Sequence, residues 1–250
     1  MPGRAKSARA VSSLTTRLEG ASINPSHVQS RVPICLLLFL LGNGISLSTV
    51  HATPPHGREI GALTAERCLE VLRRHHVDYE RRTVEGIDVA VVVRGSIGGI
   101  TVRPHNGRNR LHALMDCRLV VALLAWAPVL RRAGVERIEH YSAYRPGARV
   151  ASTRSPSGHS RGLAVDAALF HLEDGTVLDV LTAWTERTRG EEPCAPHPSE
   201  PESSRRLRSM VCAAVQADLF QVVITPHHDD DHQNHVHLEV VPDVDWSFVH

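Results

Sequence analysis

The sequence has almost no net charge: 28 Lys and Arg stand against 27 Asp and Glu over 250 residues, a formal +1. A nucleic-acid binder needs a basic face, and this balance leaves no footprint for one. No hydrophobic run approaches the roughly 20 residues that a membrane-spanning helix requires, so no span is expected in the mature chain. Closely spaced cysteine pairs are missing too. The five cysteines, Cys35, Cys68, Cys117, Cys194 and Cys212, are too dispersed for a four-thiolate zinc site. There is no internal repeat.

The start of the chain is built differently from the rest. Residues 1–31 carry Arg4, Lys6, Arg9, Arg17 and Arg31 against one acid, Glu19, and the apolar run Val32 to Leu41 follows. Small residues around Thr49-Val50-His51-Ala52 then precede Thr53-Pro54-Pro55. A basic start, an apolar middle and small residues before a cut are the parts of a secretory signal peptide. Residues 1–52 are therefore expected to be a signal with a basic extension, and residues 53–250 a periplasmic or secreted domain. The basic segment is long for a signal, which points to translation starting downstream, for instance at Val28. Cys35 lies in the signal, leaving four cysteines for two disulfides in an oxidising compartment. Three pairings are open, and we adopt Cys68–Cys117 with Cys194–Cys212 as the expectation.

Periodicity divides the mature part into an α+β fold: a small antiparallel sheet flanked by helices. Thr64 caps a helix running to His76, with Leu69, Val71 and Leu72 as its apolar contacts. Ile87–Val93 and Gly99–Val102, separated by Gly95 to Gly98, read as a β-hairpin. Asp116 to Ala133 is the core helix, stopped by Gly134 and kinked at Pro128. Val135 to Tyr144 reads as a strand with Ile138, His140 and Ser142 on one face and Glu139, Tyr141 and Ala143 on the other. A short helix is expected over residues 180–188. Residues 189–203, with four prolines and four glutamates, read as an exposed, mobile loop. Leu207, Met210, Val211, Ala214 and Val215 mark a second amphipathic helix, and Gln221 to Thr225 a further strand.

Two segments carry chemistry. In Gly162 to Phe170 a single carboxylate, Asp166, sits among Leu163, Val165, Ala167 and Leu169; desolvating it alone is costly, so it needs a cation or strong hydrogen-bonding partners. His159 lies on the turn just before. In His232-Gln233-Asn234-His235-Val236-His237-Leu238-Glu239-Val240, a strand period of two sends Val236, Leu238 and Val240 to one face and His235, His237 and Glu239 to the other. Two His and one Asp around an open fourth position suit a catalytic zinc.

Ser157-x-His159-x-x-Gly162-x-Ala164-x-Asp166, followed by His235-x-His237, resembles the zinc peptidases related to lysostaphin, the D-alanyl-D-alanine peptidases and Sonic hedgehog. Within that group the chain is most similar to bacterial extensin-like C-terminal domain proteins, over roughly residues 60–241. His232-x-x-His235-x-His237 is similar to the penicillin-insensitive murein endopeptidases. The resemblance implies a hedgehog-like or D-alanyl-D-alanine peptidase-like fold, zinc held by His159, Asp166 and His237, and peptidoglycan or a cell-wall peptide as substrate. It also implies His235 or His232 as the proton-handling residue. Arg145 resembles a substrate-engaging arginine, and Tyr141 is a candidate for the same pocket. The departure is the missing glutamate ahead of the last ligand, where this chain offers Asp229, Asp230, Asp231 and His232.

Plainer roles stand beside these. With 17 histidines, close pairs such as His75-His76 and His227-His228 arise by chance. Arg145 also suits a solvated strand end, Tyr141 a packed aromatic and His232 a solvated loop. Glu239 reads as a group behind the ligands or at the surface. Two further functions are compatible with the pattern: a non-catalytic, zinc-stabilised wall-binding domain, and a metal-storing protein that takes up several equivalents on its His-rich tail. Amino-terminal sequencing of the exported protein is expected to begin at Thr53; a mature chain that retains residues 1–52 contradicts the signal assignment.

Overall fold

The computed structural model describes residues 53–107, 109–185 and 188–250; the expected signal segment lies outside them. In chain order the elements are α1 (Ala65–Arg74), β1 (Tyr79–Arg81), β2 (Ala90–Val93), β3 (Ser96–Ile97), β4 (Ile100–Pro104), β5 (Met115–Asp116), α2 (Cys117–Arg132), β6 (Val135–His140), β7 (Ala164–Leu172), β8 (Val177–Asp179), α3 (Val180–Ala183), α4 (Glu202–Gln216), β9 (Val222–Ile224), β10 (Val236–Glu239) and β11 (Phe248–Val249). Single 3-10 turns include Gly158–Arg161 and Asp230–His232.

The fold is α+β, but its main sheet is neither small nor purely antiparallel. Eight strands form it in the order β11-β9-β10-β7-β6-β4-β3, with β8 added against β7. β4 with β6 and β11 with β9 are parallel pairs. The reason lies in the core helix: α2 is the crossover between β4 and β6, and a helical crossover returns the chain parallel to the strand it left. β1, β2 and β5 make a separate three-stranded antiparallel sheet.

The expected hairpin between residues 87–93 and 99–102 does not form. β2 pairs with β1 and β5, whereas β4 turns back on β3. That tight turn is Gly98-Gly99, with φ of +59° and +92°, which glycine adopts freely.

α2 opens on Asp116, whose Oδ1 accepts from the Arg118 amide at 3.0 Å while Oδ2 accepts from the Val89 amide at 3.2 Å. The helix runs on through Pro128 and buries Leu119, Val120, Leu123, Trp126 and Leu130. Trp126 meets Phe170 of β7 and Phe220 edge-on at 6.1 and 6.0 Å, and its indole N–H donates to the Met210 carbonyl of α4 at 2.8 Å. One aromatic thus ties both long helices to the sheet. The opposite sheet face is polar: on it Arg103 and His105 bind the Glu139 carboxylate at 2.6 and 2.9 Å.

Three other expectations need amendment. The strand from Val135 ends at His140, and the ladder skips a residue on β7 between the pairs Glu139–Leu169 and His140–Ala167. The alternation therefore breaks: Ser142 turns to Asp166, and Ala143 enters the core. The helix after Val180 closes by Ala183. The loop over residues 189–203 is exposed at most positions yet anchored. The nearly buried Glu200–Arg208 pair (2.7 Å) and the cation–π contact of Arg208 with Trp184 (4.5 Å) hold its end.

Both disulfides form as expected, Cys68–Cys117 joining α1 to α2 and Cys194–Cys212 joining the loop to α4. No helix among the described residues is long and apolar enough to cross a membrane. Closing a loop of 49 residues removes denatured-state entropy. Replacing Cys68 and Cys117 together by Ala is expected to cost about 4 kcal/mol in urea unfolding; a loss below about 1 kcal/mol contradicts a structural role for that bridge.

Candidate metal centre

β10 lies antiparallel against β7 in a register that pairs His237 with Asp166. Cross-strand partners project to the same side, so the imidazole and the carboxylate meet on the polar face, while Val165, Ala167, Val236 and Leu238 join the core. His159 arrives from the turn Gly158–Arg161, which is closed by Gly162 in the left-handed region (φ +65°). A Cβ at Gly162 would stand 3.0 Å from the Asp116 amide nitrogen, so both conformation and space call for glycine there.

The three side chains converge. His159 Nε2 is 2.9 Å from Asp166 Oδ1, His237 Nδ1 is 3.1 Å from the same oxygen, and the two nitrogens are 3.2 Å apart. All three residues are buried. Their donor atoms lie within 4.8 Å of one another, the spacing of a group that could hold one metal ion.

Each donor is fixed from behind. His159 Nδ1–H donates to the Ala143 carbonyl at 3.1 Å, Ser142 Oγ–H donates to Asp166 Oδ2 at 2.9 Å, and His237 Nε2 lies 3.2 Å from Glu239 Oε2. The atoms left over, Nε2, Oδ1 and Nδ1, face the common centre. Outer partners of this kind fix the tautomer and orientation of ligating groups.

Electrostatics follow from burial and these contacts. Burial alone would raise the Asp166 carboxyl, but hydrogen bonds with His159, His235 and His237 hold it well below the usual carboxylate range. Burial pushes His159 below the ordinary histidine range against the pull of Asp166. Burial acts the same way on His237, yet its bonds to Asp166 and Glu239 outweigh it and hold the imidazole up at about 9. As an imidazolium, His237 would donate from Nδ1 to Asp166 and from Nε2 to Glu239, joining the two carboxylates.

The centre opens into a cleft of about 980 Å³ lined by Arg145, Arg149, His232, His235, Trp246 and Phe248, among others. His235 Nε2 lies 3.4 Å from Asp166 Oδ1, and its Nδ1–H donates to Asn234 Oδ1 at 2.8 Å. His232 Nδ1 is bound to Asp229 Oδ1 at 2.5 Å, and its ring lies 5.1 Å from that of His235. Tyr141 meets the His235 ring edge-on at 5.9 Å and lines a neighbouring hollow with His105 and His112.

Every candidate residue named from the sequence is therefore in or beside this cleft. Three contributors were not foreseen: Ser142, the Ala143 carbonyl and the exposed aromatic rim of Trp246 and Phe248. Backbone carbonyls leave no signal in a sequence, and the register shift at His140 turns Ser142 toward Asp166 against the simple alternation.

Residues 66–248 match a protein family described as extensin-like protein C-terminus. No curated protein and no solved structure matches the chain.

Because metal ligation needs a free lone pair on His237, uptake of one zinc ion near pH 7 is expected to release about one proton. Calorimetric titration in two buffers of different ionisation enthalpy measures this; identical heats in both contradict a protonated His237 in the metal-free protein.

Proposed function

Because the chain belongs to the extensin-like C-terminal family, we propose that it is an exported zinc-dependent peptidase or amidase that cleaves peptidoglycan peptides, with a centre related to those of the lysostaphin, D-alanyl-D-alanine peptidase and hedgehog group. The observation that carries the proposal is the convergence of His159, Asp166 and His237, each held from behind, at the floor of an open cleft. Two nitrogens and one carboxylate oxygen are a donor set that fits zinc and leaves a fourth position for water. Bound zinc would supply a Lewis acid that acidifies water and polarises an amide carbonyl.

The chain's own residues supply the rest. Nδ1 of His235 is tied to Asn234 Oδ1, which turns Nε2 toward the centre, beside Asp166 Oδ1, where it can exchange a proton with the reacting water. Asp229 holds Nδ1 of His232 in the same way, and burial lowers that imidazole below the ordinary range despite Asp229, which keeps it neutral and able to relay the proton. Tyr141 buttresses the His235 ring. Arg145, whose amide is tied to the His159 carbonyl at 2.9 Å, offers a guanidinium fork for a carboxylate or carbonyl of the wall peptide. The signal over residues 1–52 delivers the domain to an oxidising compartment, a reading that the two disulfides support.

A second reading rests on one feature: no glutamate stands ahead of His237 in the stretch Asp229 to His232. On that reading zinc stabilises a domain that binds wall peptides without turnover. Digestion of purified sacculi by the zinc-loaded protein, followed by mass spectrometry, separates the two. The peptidase is expected to release peptide fragments, and His235→Ala to lose ~10²-fold or more of that rate while keeping its fold and its zinc. Sacculi left intact by the wild-type protein contradict the hydrolase and favour the binding domain.

A further inference from the structure

We infer that Glu239 is the positioning residue that sets His237 for the metal, and that position 158 is glycine because it must leave room for that carboxylate. This role rests on the metal centre proposed above.

His237 and Glu239 are two apart on β10, so they project from one face of the strand, and Glu239 Oε2 comes to 3.2 Å from His237 Nε2. An imidazole can bind a metal through either nitrogen. What decides is the bond made by the other nitrogen. With Nε2–H donated to Glu239, Nδ1 faces Asp166 Oδ1 and His159 Nε2. Asp166 cannot make this choice, because it lies on the metal side of the ring. Glu239 is the residue that fixes the ring from behind.

The carboxylate in turn is confined by the turn that carries another ligand. A Cβ at Gly158 would stand 2.5 Å from Glu239 Oε1 and 2.7 Å from Oε2, well inside any real contact. Gly158 has no positive φ, so space rather than backbone conformation demands glycine. Its successor is His159. The backbone that delivers the first ligand therefore seats the carboxylate that orients the last. A methyl at 158 meets the far end of a flexible side chain, so Gly158→Ala is expected to displace Glu239 rather than unfold the chain.

The test titrates zinc alone into chelator-stripped protein with a chromophoric competitor. The wild type is expected to bind one equivalent and Glu239→Ala to bind ~10–100-fold more weakly. Glu239→Gln keeps an acceptor of the same shape and is expected to recover part of the loss; it also keeps the test readable if the alanine variant does not fold. Gly158→Ala is expected to weaken binding as Glu239→Ala does. Long-range 15N spectra of the loaded protein should find the His237 proton on Nε2 in the wild type and a mixture in Glu239→Ala. Unchanged affinity and an unchanged tautomer in all three variants overturn the role of Glu239 while leaving the metal centre standing. A wild-type chain that takes up no zinc overturns the centre, and this role with it.

Discussion

A carboxylate buried in an apolar strand governs this structure. Asp166 sits on β7 between the buried Val165 and Ala167, and ionised without compensation it would cost several kcal/mol. The compensation is positive charge at one oxygen. Three imidazoles, from residues 159, 235 and 237, approach Oδ1, while Ser142 takes Oδ2. The contacts to Asp166 and Glu239 favour the charged form of His237; a divalent cation would supply more positive charge at the same place. The carboxylate is thus costly alone and stabilising once occupied, which is how a metal site comes to favour its ion.

The scaffold makes that arrangement rigid. Trp126 locks α2 and α4 onto the sheet's apolar face, and the disulfides fasten α1 and the long loop to these same helices. With one face covered, β7 and β10 can hold the ligands in fixed register on the other. The cleft-forming segments, Arg145 to Ser157 and Asp229 to His235, are loops that carry the adaptable groups. Rigid candidate ligands beside loop-borne polar groups and exposed aromatics suit the proposed site, which would hold an ion and admit a wall polymer.

Much of this was legible because burial constrains residue type. A lone Asp among Leu163, Val165 and Ala167 announced itself, and the alternation through His235 to Val240 oriented the histidines correctly. Helical spacing located α2 and α4, and Thr64 marked the start of α1. Pairing was harder. The residues of β2 and β4 are equally β-branched, and nothing local says that one joins the small sheet while the other joins the large one. Nor does the apolar period of α2 reveal that it is a crossover, which is what makes the main sheet mixed. The exit of the chain from the ladder after His140 turned Ser142 toward Asp166 against the expected alternation. Gly158 looked like an ordinary turn residue, because its neighbour Glu239 is distant in the chain and close only in space.

The central claim is that one divalent ion is gripped by three named atoms. Anomalous scattering at the zinc edge from crystals of the loaded protein tests it most directly. The account predicts a single peak about 2.0–2.2 Å from His159 Nε2, Asp166 Oδ1 and His237 Nδ1, with a water or other oxygen in the fourth position. A peak located instead among His228, His232 and His250, or several peaks scattered along the His-rich tail, would contradict it.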